Sequence, residues 1–305
     1  MRKSVIYSIL AALVIAVPSC KKNDTTTTTP SLSGLAVEEV VPYVGRGTTV
    51  TVNPKVKGLY TSNGSKAGTI GLAWQVNTAK KDTLCKDISK GYDSFRYYVD
   101  TLGKYSIYCY AFASGYYSSS AVTTVECIDP ENALTGVTMD ETVTIAGNEW
   151  MATNLYDPLL GEDYKKAEIV SPLFGRFYTW EEALIACPIG WHLPSADEWD
   201  TLGSDAYALM APAKFQKLDM WEPALGQMIT NSLGFNVIPV GYMDKTASVD
   251  KFRGKGQYSA YWTSSVSENN PDFAQMRYFL YDNPDVQEGE GDISSLALSV
   301  RCVKD

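Results

Sequence analysis

Between residues 33 and 129 apolar side chains recur at alternate positions in short runs: TTVTVNPKV (48–56), TIGLAWQV (69–76), FRYYVD (95–100), GKYSIYCYAFA (103–113) and SAVTTVECI (120–128). Alternation with period two marks strands that bury one face, and breaks rich in Gly, Asn, Ser and Lys separate the runs. The spacing predicts a small immunoglobulin-like β-sandwich over residues 33–129. Trp74 is placed to fill the gap between its sheets, and Tyr105, just after Gly103, to be a corner tyrosine whose hydroxyl bonds the backbone. The polar segment DPEN (129–132) ends the last strand, so a second domain is expected over 130–305.

There the period changes. Val143–Ile145 and Glu149–Met151 alternate around Gly147-Asn148 and predict a hairpin. Thr179 followed by Glu182 forms a capping box, and Trp180, Ala183, Leu184 and Cys187 then fall on one face of a short helix ended by Pro188 and Gly190. Pro194 and Ser195, with Glu198 three residues after the serine, open a second helix with Trp199, Leu202 and Ala206 on its inner face. Phe235–Val240, Tyr258–Ser264, Ala274–Tyr281 and Leu296–Val303 are the remaining strand candidates. Between them lie polar stretches, 243–257, 265–272 and 282–292, read as loops on one binding face. Their candidate ligand contacts are Asp244, Asp250, Arg253, Glu268, Asn270, Asp272, Asp282 and Asp285.

At the N-terminus Arg2 and Lys3 precede an apolar run from Val5 to Val17, the layout of a secretory signal peptide at 1–19 and too short for a membrane span. VPSC (17–20) resembles the bacterial lipobox, which implies cleavage before Cys20 and acylation of it. Residues 20–32, with Lys21, Lys22 and Thr25–Thr29, then form a polar tether. The expected address is the cell envelope, as an outer-membrane lipoprotein facing the exterior and held to the membrane by its lipid.

A chain of 305 residues with 35 acidic and 26 basic side chains carries no basic stripe interleaved with aromatics, which excludes nucleic acid as the expected partner. His192 is the one histidine, so a Ser/His/Asp triad could be built in only one way, and a hydrogen-bonded turn histidine is the favoured reading over a catalytic base. No His-rich or paired-Cys spacing predicts zinc. Asp282, Asp285, Glu288, Glu290 and Asp292, broken by Gly289 and Gly291, make the densest acidic run and are the one candidate set for calcium. Their spacing is not that of an EF-hand, and a solvated loop is favoured. The 20 Tyr and 7 Trp suit sugar stacking or protein interfaces, but most alternate on strands and read as core.

Six motifs in order, VTIAGNEWMATNL (143–155), GRFYTW (175–180), ACPIGWHLPSADEW (186–199), NSLGFNVIPVGY (231–242), YWTSS (261–265) and SVRCVKD (299–305), resemble the Fibrobacter succinogenes major paralogous domain. More distantly, HLPSADEW and VRCV are similar to the formylglycine-generating enzyme domain, a variant of the C-type-lectin architecture. The resemblance implies an α+β C-type-lectin-like second domain, and with it a disulfide between Cys187 and Cys302. If Cys20 is acylated, Cys85, Cys109 and Cys127 remain in the sandwich with at least one unpaired; which two pair is left open, Cys109 and Cys127 across one hairpin being one arrangement. Asn270-Pro271-Asp272 is similar to the Pro-centred tripeptides that hold calcium and sugar in C-type lectins, but Asn-Pro-Asp recurs at 283–285 and reads as an ordinary turn. Oxidase chemistry of the formylglycine type requires a thiol site, and no cysteine pair lies near the relevant loops. The expected function is non-catalytic binding of a glycan or surface protein by the second domain's loops. The alternatives are a structural or accessory subunit of a surface fibre or adhesin, and an enzyme-like member of the formylglycine-generating superfold.

Overall fold

The structure, a computed structural model, describes residues 33–60, 71–78, 82–89, 94–112, 119–138 and 140–305. The signal-peptide, acylation and tether assignments at 1–32, Cys20 included, lie outside the described residues.

The N-terminal part contains β1 (Ser33–Val37), β2 (Tyr43–Val44), β3 (Thr48–Val52), β4 (Pro54–Tyr60), β5 (Gly71–Thr78), β6 (Asp82–Ser89), β7 (Phe95–Val99), β8 (Gly103–Phe112) and β9 (Ser119–Cys127). They form a five-stranded sheet, β2-β9-β8-β5-β6, and two pairs, β1-β4 and β3-β7. Leu72, Trp74 and Val76 of β5 turn inward and are buried, and the Trp74 ring stacks on Phe95 of β7 at 5.0 Å, joining two sheets face to face. The alternating pattern therefore predicts this layer correctly. Asn53 splits the 48–56 run into β3 and β4, and β1, β2 and β6 add to the five predicted runs. The Tyr105 hydroxyl donates to the Thr101 carbonyl at 2.8 Å and accepts from the Thr101 N–H at 3.2 Å, closing the expected corner. Cys109 pairs in register with Ala121 and Cys127 with Gly103, so the two do not face each other across the hairpin. Both are buried outside any disulfide, and burial pushes the Cys109 thiol up to about 12.

The C-terminal part runs through α1 (Pro130–Ala133), β10 (Leu134–Thr135), β11 (Thr142–Ile145), β12 (Asn148–Met151), α2 (Ser171–Phe174), α3 (Trp180–Ala186), β13 (Trp191–His192), α4 (Ala196–Asp200), α5 (Ala206–Leu209), β14 (Lys214–Phe215), β15 (Leu218–Asp219), β16 (Tyr242–Asp244), β17 (Phe252–Arg253), β18 (Tyr258–Val266), β19 (Phe273–Leu280), β20 (Gln287–Asp292), β21 (Leu296–Ala297) and β22 (Val303–Lys304). These make four small sheets: β10-β14-β15, β11-β12-β22-β13, β17-β16-β21 and β18-β19-β20. Among the described residues the longest helix, α3, has seven residues, so the α+β expectation becomes a mostly β part with short helices.

Both predicted capping boxes are formed, Thr179 with Glu182 and Ser195 with Glu198. The faces differ from the prediction. Ala183 and Ala186 are the buried positions of α3, while Leu184 is exposed and Cys187 lies beyond the helix as its C-cap. The second helix stops at Asp200, ahead of Gly203 at φ 81°, and Ala206 starts a separate turn capped by Asp205. The β11-β12 turn sits at Ala146-Gly147, one residue earlier than expected, with φ 50° and 89°. Residues 235–240 are buried but form no strand, and 296–303 yields only the short β21 and the start of β22.

Lys255 joins the two parts. Its ammonium donates to the Tyr43 hydroxyl at 2.8 Å and lies 5.0–5.6 Å from the ring centroids of Tyr43, Tyr164, Phe174 and Phe215. Burial pulls its pKa down to about 8. Nearby, Lys165 pairs with Glu39 at 3.6 Å and Asp250 at 3.0 Å.

Candidate functional site

The family-like motifs converge on Arg301, which is fully buried and has no carboxylate partner among the described residues. Its Nε donates to Asn154 Oδ1 at 2.9 Å, Nη1 to the carbonyls of Met151 and Phe235, and Nη2 to the Asn236 carbonyl at 2.9 Å. The Tyr261 hydroxyl also donates to Asn154 Oδ1, at 3.0 Å, and the guanidinium lies over the Phe235 and Tyr261 rings. The Met151 carbonyl ends β12 and those of Phe235 and Asn236 lie in irregular backbone, and the arginine supplies donors to all three. This arrangement positions the domain; it is closed to a ligand.

The antiparallel sheet β18-β19-β20 presents two unlike faces. Register places Tyr258, Ala260 and Trp262 opposite Leu280, Tyr278 and Met276, with Gly289 beside Met276 and Gly291 beside Ala274. The alternate set is Tyr261, Arg277 and Gln275, with Glu288 and Glu290 on β20. Packing favours glycine on β20: a Cβ on Gly291 would meet Trp262 Cη2 at 2.8 Å and force the indole to shift, and one on Gly289 would sit tightly against Met276 Cε and Tyr278 Cε1 at 3.1 Å.

On the first face a groove of about 450 Å³ opens among Tyr242, Tyr258, Met276, Leu296, Gln257 and Arg253. The Tyr258 and Tyr278 rings stack at 5.2 Å, and Tyr242 meets Tyr258 edge-on at 5.4 Å. Burial, together with the Tyr278 and Tyr242 phenols, raises the Tyr258 pKa. Among the described residues lining the groove, Arg253 alone carries charge. The second face holds a smaller cleft of about 310 Å³ among Glu268, Gln275, Arg277, Glu288 and Glu290. There Arg277 is buried and bonded to Asp200 Oδ1 through Nε at 3.1 Å and Nη2 at 2.7 Å.

The predicted contact residues do not share one face. β18, β19 and β20 form a meander, so the turn at 267–272 lies at one end of the sheet and the turn at 281–286 at the other. Asn270 accepts from the Asp272 N–H at 3.1 Å and Asn283 from the Asp285 N–H at 3.0 Å, which makes both Asn-Pro-Asp segments the turns expected of them. Glu268 borders the acidic cleft, Asp282 is exposed in the 281–286 turn, Asp250 is paired with Lys165, and Asp244 and Arg253 stand near each other on β16 and β17. The presumed loop 282–292 is a strand over its second half, so Glu288 and Glu290 share a face by alternation, while Asp292 Oδ1 accepts from Ser294 and Ser295. No group of three His, Cys, Asp or Glu side chains able to hold a metal occurs among the described residues. The set Asp282, Asp285, Glu288, Glu290 and Asp292 is therefore not assembled as a calcium site.

His192 lies on β13 with Nε2 at 2.9 Å from Glu198 Oε1 and Nδ1 at 2.8 Å from Asp305 Oδ1. Both ring nitrogens are engaged in tying the C-terminal strand to the cap of α4. Cys187 and Cys302 form the expected disulfide, linking the end of α3 to the segment leading into β22.

These features define a mostly β protein whose C-terminal part packs short strands and short helices around a buried arginine. The chain belongs to the Fibrobacter succinogenes major domain family, whose model matches residues 143–304. No curated protein matches the sequence. Among solved structures, the PKD domain from human VPS10 domain-containing receptor SorCS2 is similar at 14% identity over 38% of this chain and 95% of that one, with a TM-score of 0.24, a likeness too slight to add to the strand topology.

Proposed function

We propose that the protein is an envelope-anchored, non-catalytic binding protein that holds a glycan in the tyrosine-lined groove. The observation that carries this reading is the groove itself: a neutral aromatic cluster beside a few polar side chains is the surface on which sugar rings stack while their hydroxyls are hydrogen-bonded. The C-terminal part is read as a C-type-lectin-like variant, supported by the disulfide from α3 to the last strand. Anchoring rests on the lipobox-like VPSC, and Cys20→Ser should move the protein from the membrane pellet to the soluble fraction.

For the groove, a soluble form starting at Ser33 is applied to a glycan array. Tyr258→Ala and Tyr242→Ala should abolish the hits, whereas His192→Gln should keep them. Hits that survive both tyrosine changes would place binding elsewhere. A protein partner is the second reading, favoured by Leu184, Ile185 and Ile189, which are exposed together at the end of α3. A single surface-protein partner lost on Ile185→Ser, with no glycan hit, would decide for it.

A further inference from the structure

We infer that the groove selects carboxylated sugars, with Arg253 as the residue that binds the carboxylate; this rests on the glycan reading above. In a chain carrying 35 acidic against 26 basic residues, a cavity free of acidic lining is a departure from the surrounding surface. Arg253 is exposed at the end of β17 and, among the described residues, its guanidinium makes no hydrogen bond or ion pair. The nearest acid in sequence register, Asp244, is held below the ordinary carboxylate range chiefly by its Thr246 hydrogen bonds and to a lesser degree by the Arg253 charge, and it makes no contact ion pair with that arginine. Asp244 Oδ1 accepts from the Thr246 N–H at 3.0 Å and the Thr246 hydroxyl at 2.6 Å. Glu222, the other carboxylate at this end, accepts from Gln257 Nε2 at 2.8 Å.

An unpaired guanidinium at the rim of an apolar wall matches a pyranose that bears a carboxylate on one edge. The ring lies against Tyr258 and Tyr242, and the carboxylate meets the planar donor fork of Arg253, a geometry that lysine cannot reproduce. A neutral sugar would occupy the same wall and leave the fork hydrated. Discrimination is therefore expected from the charge-assisted contact, and affinity for the ring from the tyrosines.

The test uses the soluble form from Ser33 with oligogalacturonate and sialyllactose as acidic probes, and carboxyl-reduced oligogalacturonate and lactose as their neutral counterparts. At least one acidic probe should bind about tenfold or more tightly than its counterpart. Added salt should narrow that gap, since an exposed ion pair is screened. Arg253→Gln should erase the preference with an unchanged melting curve, Arg253→Lys should restore part of it, and Tyr258→Ala should remove acidic and neutral binding together. Which acidic probe binds separates a uronate from a sialate source. Equal binding of acidic and neutral probes, or a preference that survives Arg253→Gln, overturns the inference and leaves the groove reading in place. No binding of any probe, with hits elsewhere on the array insensitive to Tyr258→Ala, would remove both.

Discussion

The two parts of the chain solve the same problem by different means. In the N-terminal sandwich the backbone groups of β5, β8 and β9 bond one another along continuous ladders, so the interior needs only apolar side chains such as Val52, Leu72, Trp74 and Ile107. In the C-terminal part the strands are short and much of the buried chain is irregular, and polar side chains enter the core to satisfy it. Arg301 serves three carbonyls, Asn154 the carbonyl of Phe174, Trp262 that of Tyr178 and Trp221 that of Ala211. Where ladders satisfy the backbone, composition and alternation suffice; where they do not, individual residues become indispensable.

The largest effect should follow from breaking that dependence. Arg301→Met removes every donor to the carbonyls of Met151, Phe235 and Asn236 named above, and each buried group left unpaired costs about 1–3 kcal/mol. A total of at least about 3 kcal/mol is expected on that scale, a large fraction of the stability of an ordinary domain. The readout is urea unfolding followed by tryptophan emission, with the sandwich transition near Trp74 unchanged. A variant whose C-terminal transition keeps its midpoint would show that the network is replaceable by apolar packing.

A smaller and local loss is expected in the sandwich. Tyr105→Phe keeps the buried ring and removes only the hydroxyl that closes the corner at Thr101, which should cost about 1 kcal/mol. Because the ladder on either side is intact, the loss should appear as a lowered midpoint with no change in denaturant slope. An effect as large as that of Arg301→Met would mean that the sandwich also depends on single polar contacts.

The same contrast explains what could be read from the residues alone. The strands of the sandwich, its corner tyrosine, the inter-sheet Trp74 and both capping boxes are local patterns, and they are present. Arg301 was passed over because its partners come from segments up to 150 residues away, and nothing near it in sequence signals burial. The run from Glu288 to Asp292 reads as a solvated loop because acid and glycine alternate there. Gly291 in fact lies so close to the Trp262 ring that a Cβ there would force the indole to shift, a tertiary constraint invisible in the run itself. The groove is hidden in the sequence for a related reason: Tyr242 and Tyr258 fit an alternating core pattern, and they come together only in the fold, where they meet edge-on and stay partly open.

The smallest effect concerns the one ionic tie between the end of the chain and α4. Burial alone would lower the pKa of His192, but its hydrogen bonds to Asp305 and Glu198 outweigh this and raise it. Burial acts to raise Glu198, and the N–H and hydroxyl of Ser195 together with His192 outweigh it and lower it. A histidine whose folded pKa exceeds its unfolded value contributes stability that is complete below the unfolded value, near 6.5, and is lost as pH rises through the folded one. The carboxylate has the opposite sense: its contribution is complete above the unfolded value, near 4.5, and is lost as pH falls through the lowered one. The tie should therefore be strongest in mildly acidic solution, between those two limits. His192→Gln, which keeps a hydrogen-bonding side chain without the charge, should flatten the alkaline arm of the stability profile of the C-terminal part and leave the Arg301 network untouched. With the His192 side chain 42% exposed, solvent screening keeps the amplitude small. A profile of the Gln variant that still declines above neutrality would assign that decline to a group other than His192. Lys255 can be told apart by sign: with a folded value pulled down to about 8, it makes stability rise as pH climbs from about 8 toward 10.5.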